Sequence, residues 1–141
     1  VKRIAVIVVV LAGLAWAYLW NRAQPTGSDA APADGAAMAS VSLPDSYSGN
    51  AQIGARVYEA KCASCHGENA QGQQGVAPPL IHKIYEPSHH GDEAFQRAVA
   101  LGVQAHHWPF GNMPPVEGLS RGDVAMIVAY IRETQQANGI Q

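Results

Sequence analysis

The order of apolar and polar positions divides the chain into three unlike stretches. Residues 4–20, IAVIVVVLAGLAWAYLW, run for 17 positions without a charged side chain. As a helix this run would measure about 25 Å, slightly short of a bilayer core, a deficit that snorkelling flanks and local thinning absorb. Lys2 and Arg3 precede it, Arg22 alone lies after it, and Trp16, Tyr18 and Trp20 cluster at the far end. That asymmetry predicts a membrane anchor over 1–23, with its start in the cytoplasm and everything after Asn21 outside. A cleaved signal peptide is the competing reading, although its apolar core would normally be about 7–15 residues. Its possible sites are Ala15-Trp16-Ala17, inside the run, and Ala37-Met38-Ala39, well beyond it. Both readings export the remainder of the chain. No cysteine lies near the run to carry a lipid.

Residues 24–49 change character. They are rich in Ala, Ser, Gly, Pro and Asp and show neither helical nor strand periodicity. Such a stretch cannot bury a core and predicts a flexible linker. Helical spacing returns at Asn50. Over 50–61, Ile53, Val57 and Ala60 fall on one face, with Asn50 as the cap. Over 92–101, Phe95, Ala98 and Val99 form a face between a start at Gly91 or Asp92 and a stop at Gly102. Over 120–137, Ser120 and Asp123 approximate a capping box ahead of a stripe of Val124, Ile127, Val128 and Ile131. Loops rich in Gly and Pro lie between, and no strand is predicted. The expectation is an all-α domain over 50–141 whose helices offer few large inward residues, so that something else must fill the centre.

Composition narrows the function. The 141 residues carry 9 Lys+Arg against 11 Asp+Glu, a formal net charge of −2. That balance argues against a nucleic-acid binder. The chain has 2 cysteines, which cannot make a disulfide-dense scaffold, so their local motif decides what they do. Residues 62–66 read Cys-Ala-Ser-Cys-His, the C-x-x-C-H sequence of covalent haem attachment. Two thiols, Cys62 and Cys65, add across the haem vinyl groups to form thioethers, and His66 becomes the proximal iron ligand. Export suits this chemistry, which in bacteria takes place outside the cytoplasmic membrane. A thioredoxin-like C-x-x-C would need a βαβ setting, and a structural zinc site would need a second ligand pair. The sequence supplies neither.

On these residues the domain resembles a class I c-type cytochrome. The matching features are Gly54 and Tyr58 ahead of Cys62-x-x-Cys65-His66, then Pro78-Pro79-Leu80, Gly111-Asn112-Met113-Pro114-Pro115, and a terminal helix with Tyr130. With the apolar run included, the chain is similar to membrane-anchored bacterial monohaem cytochromes c. The resemblance implies the cytochrome c fold around one covalent haem c, with the first and last helices crossing in close contact at Gly54, Tyr58 and Tyr130. It implies Met113 as the distal iron ligand; Met126 in the last helix, Met38 in the linker and a bis-His iron using His106 or His107 are the alternatives. It also implies that the carbonyl of Pro78 or Pro79 accepts from the His66 ring and that Leu80 packs on the haem. Trp108 either stacks at the haem edge, bonds a propionate through its indole N–H, or simply packs. A methionine in the sixth position raises the potential and leaves no site for substrate, so a carrier without enzymatic activity or small-molecule substrate is expected. Its expected place is the periplasmic side of the bacterial inner membrane, shuttling electrons between complexes such as a cytochrome bc complex and a terminal oxidase. A haem subunit fixed in one larger redox enzyme is the alternative.

Two features fit a plain carrier less well. His82, His89, His90, His106 and His107 crowd into a short span on either side of the helix over 92–101. That helix is about 15 Å long, which separates the pair 89–90 from the pair 106–107 unless the loops fold back. They read as surface and propionate-contacting residues, as a second, copper-type metal site, or as a pH-sensitive docking face. Residues 45–141 also carry 6 Lys+Arg and 9 Asp+Glu, a net of −3, unlike a lysine-rich docking face.

Overall fold

In the computed structural model of the chain, which describes residues 11–20 and 33–141, the first helix of the domain starts from a serine. The Ser48 hydroxyl accepts from the Ala51 N–H, and α1 runs from Gly49 to Lys61. Asn50, expected as the cap, lies in the first turn instead. The Glu133 carboxylate accepts from both the Ser48 N–H (2.9 Å) and its hydroxyl (2.6 Å), which fixes the cap to the last helix. After Cys62 a single turn, α2 (Ala63–His66), continues the path. A 3-10 turn at Lys83–Tyr85 precedes α3 (Asp92–Leu101), and α4 spans Arg121–Ala137. Among the described residues β structure amounts to isolated bridges, Ala37 with Gln73, Gln73 with Ala77, and Val103 with Met113.

Helix α4 follows the pattern that predicts it. Ser120 and Asp123 form a full capping box, and Val124, Ile127, Val128 and Ile131 are all buried. Helix α1 does not follow its pattern. Its buried residues are Ala51, Gly54 and Tyr58, while Ile53 is 38% exposed. The reason is tertiary. A Cβ on Gly54 would lie 1.8 Å from the Met126 carbonyl oxygen, so the backbones of α1 and α4 touch there. Small residues, rather than the larger apolar ones, therefore occupy the contact. Beyond the crossing, Tyr58 packs against Tyr130 at 5.2 Å, and Tyr130 against Tyr47 at 5.3 Å.

The linker expected over 24–49 is corrected from Pro32 onward. The chain divides into a unit over 1–31 and a compact unit over Pro32–Gln141, so the domain begins well before residue 50. Backbone bonds tie Gly35 to Gln74, Ala36 to Gln74, and Met38 and Ala39 to Gln71. Asn138 clasps Ser42, accepting from its N–H at 2.9 Å and donating to its carbonyl at 2.7 Å. Tyr47 bonds Thr134 at 2.9 Å, and Val41 packs on the core. Backbone pairing, the Asn138 clasp and single packed side chains hold this segment, and none of these produces an apolar periodicity that a sequence would display.

Arg132 of α4 joins the remaining elements. Its guanidinium donates to Asp92 at the start of α3, to the carbonyls of Tyr85 and His90, and to Gln135. Its side chain is only 12% exposed, so its bonds to the two carbonyls and to Gln135 lie largely away from water, where charge-assisted contacts count most, while Asp92 itself is exposed. Gln135, itself buried, donates in turn to the carbonyls of Leu80 and Tyr85. The loop between α2 and α3 is thus held through polar groups on α4.

In the first unit, residues 11–20 are helical and exposed. Among the described residues no helix is long and apolar enough to cross a membrane. The rest of the expected anchor, with Lys2, Arg3 and Arg22, lies outside the described residues.

Candidate cofactor site

Cys62 closes α1, its N–H returning to the Tyr58 carbonyl at 2.8 Å. The next turn brings Cys65 and His66 to the same place, since Cys65 and His66 N–H both donate to the Cys62 carbonyl. Gln73 reinforces the turn from below, donating to the Ser64 carbonyl at 2.9 Å and the Ala63 carbonyl at 3.4 Å. The Tyr58 hydroxyl donates to the Gly67 carbonyl at 2.8 Å, and burial pushes its pKa far up, so it remains a neutral donor. Cys62 is half-buried and Cys65 exposed. Burial, with Cys65 beside it, raises the Cys62 pKa to about 11.

His66 is buried, and its Nδ1 lies 2.9 Å from the Pro78 carbonyl. A carbonyl accepts only, so Nδ1 carries the proton and Nε2 keeps its lone pair. Burial lowers the His66 pKa, partly offset by that bond, and favours the neutral imidazole that ligates metals. The acceptor is Pro78 and not Pro79, the other candidate. Pro79 is fully buried and does not border the cavity described next; a Cβ on Gly72 would come within 2.4 Å of its nitrogen.

Cys62, Cys65, His66, Pro78, Leu80, Trp108 and Met113 all border one cavity of about 700 Å³. Its floor is apolar, from Ile127 and Ile131 of α4 and Phe95 and Val99 of α3. The half-buried face of α3 is therefore a wall of a ligand site, although Phe95 also packs against the helical core. Met113 is placed by its backbone, exchanging hydrogen bonds with Val103 at 2.9 and 3.0 Å. Gly102 makes this pairing possible. It sits at φ +74°, and a Cβ there would stand 2.5 Å from the Met113 carbonyl. Met126, the alternative thioether, is not among the cavity residues. The Trp108 indole N–H is buried, with the Tyr85 side chain as its polar neighbour but no well-formed hydrogen bond, and its ring stacks on Phe110 at 5.9 Å. A buried donor left short of a full hydrogen bond at a cavity wall suits an acceptor from a ligand.

The donor set and the cavity fit a covalently held haem. Two thiols three residues apart, a neutral imidazole with an oriented ring and a thioether surround one apolar space of ligand size. Sequence reasoning missed Gln73 and Gln135, which hold the turn and the adjacent loop, because a glutamine in a polar stretch carries no signal of its partner.

Comparison with known proteins agrees with this chemistry. The family model for cytochrome c matches residues 51–135. Cytochrome c-554(547) of Halothiobacillus neapolitanus is 36% identical over 92 residues, which cover 59% of this chain and 94% of that protein.

Proposed function

The chain belongs to the cytochrome c family, and from that premise we propose that it is a membrane-tethered one-electron carrier on the periplasmic face of a bacterial inner membrane. The family binds haem c covalently, and Cys62 and Cys65 supply the thiol pair that attachment requires. When bound, the haem iron alternates between two oxidation states and so takes up or releases one electron. The chain's part is to hold that centre still and dry. His66, oriented by Pro78, and Met113 would hold the iron. Leu80 and Phe95 exclude water from the apolar wall, and the buried Trp108 N–H would donate to a propionate. The observation that carries the reading is the convergence of Cys62, Cys65, His66 and Met113 on one cavity. Iron held by both side chains would keep no coordination position for a substrate, which favours transfer over enzymatic chemistry.

The ligand assignment is tested by Met113→Ala. The variant should keep its covalent haem yet lose the weak near-infrared sulfur-to-iron band of the oxidised protein. Survival of the band would transfer the role to another methionine.

Tethering rests on the uncharged run over 4–20, basic residues ahead of it and aromatic residues at its end. A carrier held in this way serves partners in the same membrane, such as a cytochrome bc complex and a terminal oxidase. The full chain, expressed in a bacterium with haem-attachment machinery, should sediment with membranes through a high-salt wash and come free only in detergent. Recovery from the soluble periplasm would end the tether and leave the carrier standing.

A further inference from the structure

Four of the extra histidines meet at one place. His89 and His90 stand just before α3, and His106 and His107 lie in the loop after it. The chain reverses at Gly102 and returns through the Val103–Met113 bridge, so the two pairs are not at opposite ends of the helix. The His107 ring lies 5.4 Å from His89, 5.3 Å from His90 and 4.3 Å from His106, centroid to centroid. One ring nitrogen from each of His89, His90 and His107 falls within 4.8 Å of the other two.

The nitrogens are also in a state to ligate. His90 Nδ1 lies 2.6 Å from the Ile84 carbonyl, and His106 Nδ1 2.8 Å from the Gln104 carbonyl. Each Nδ1 must therefore be protonated, which leaves each Nε2 with its lone pair. This is the outer-shell bonding that orients metal-ligating imidazoles. His89 Nε2 and His107 Nε2 approach to 3.4 Å, long for a hydrogen bond. Two nitrogens bound about 2.0–2.1 Å from a tetrahedral metal stand about 3.3–3.4 Å apart, the separation seen here.

We propose that His89, His90 and His107 form a binding site for a divalent transition-metal ion, Cu²⁺ or Zn²⁺, with a fourth position open beside His106. The donors are all imidazole, which suits these ions and not Mg²⁺ or Ca²⁺. His90, His106 and His107 also border the large cavity, so the competing reading is that they only contact the bound haem. The haem-loaded protein separates the two, because there the cavity is already taken.

Untagged, haem-loaded protein titrated with Zn²⁺ in a calorimeter should bind one ion per chain. Cu²⁺ at the same site should show nitrogen hyperfine structure in its electron paramagnetic resonance spectrum. His89→Asn with His107→Asn should weaken binding at least 10–100-fold, the loss expected even from removing an outer-shell partner. His82→Asn, outside the cluster, should bind as the parent does. Should the double variant fail to load haem, His89→Asn alone carries the test, since that ring is exposed. No stoichiometric binding by the parent, undiminished binding by the variants, or an equal loss in His82→Asn would overturn the site while leaving the carrier function untouched.

Discussion

With Cys62 and Cys65 both replaced by alanine, the chain should be recovered without covalent haem and largely unfolded. Haem staining after denaturing electrophoresis would read the first effect, and far-ultraviolet circular dichroism the second. The magnitude comes from the cavity. Without haem, Leu80, Phe95 and Val99 border a space of about 700 Å³ with no apolar filling. Each large apolar side chain left wet forfeits about 1.5–3 kcal/mol. Two or three such losses rival the lower end of a small domain's stability, about 5–15 kcal/mol. A folded double variant that kept its haem through denaturation would refute covalent attachment at these residues.

Gly54→Ala should be the most damaging single methyl group in the domain. The added Cβ would stand 1.8 Å from the Met126 carbonyl oxygen and 2.9 Å from the Ile127 nitrogen, both backbone atoms of α4. No rotamer change relieves a clash between backbones, so α1 and α4 must separate and Tyr58 must leave Tyr130. The expected cost is about 3 kcal/mol, the upper end of ordinary overpacking. Thermal unfolding of the haem-loaded variant should fall by roughly 10 °C or more. Gly122→Ala is the matching control. Its Cβ would lie 3.5 Å from the Ser120 hydroxyl, an ordinary contact, within the first turn of α4. There alanine should stabilise by up to about 1 kcal/mol through helix propensity. Equal effects at the two glycines would mean that the helix crossing is not a close one.

The contrast between α1 and α4 shows what a sequence displays and what it hides. Helix α4 is legible because its signals are local: a serine, an aspartate three residues on, and a stripe at helical spacing. The C-x-x-C-H run is legible because its chemistry demands neighbours in the chain. The buried face of α1 is decided by how near another backbone comes, and Gly54 has no side chain with which to declare it. The segment after Pro32 reads as a linker because its hold is made of backbone bonds to Gln71 and Gln74 and of single side chains such as Tyr47. Pro78 and Pro79 are equal candidates until a chain path turns one carbonyl toward His66. The histidine pairs meet only because Gly102 reverses the chain, and no spacing rule contains that reversal.

The crossing of α1 over α4 also bears on how the chain reaches its fold. Gly54 and Met126 touch across most of the domain's length, and Ser42 and Asn138 lie 96 residues apart in sequence. Closing a loop of about 70 residues costs roughly 4 kcal/mol of chain entropy before any contact rewards it. Helices of this size form within about a microsecond, so they wait on that closure. The turn bearing Cys62 and the loop bearing Met113 are both interior to the closed ring. The walls around the cofactor, which include Ile127 and Ile131 of α4, are therefore complete only once the two ends of the domain have met.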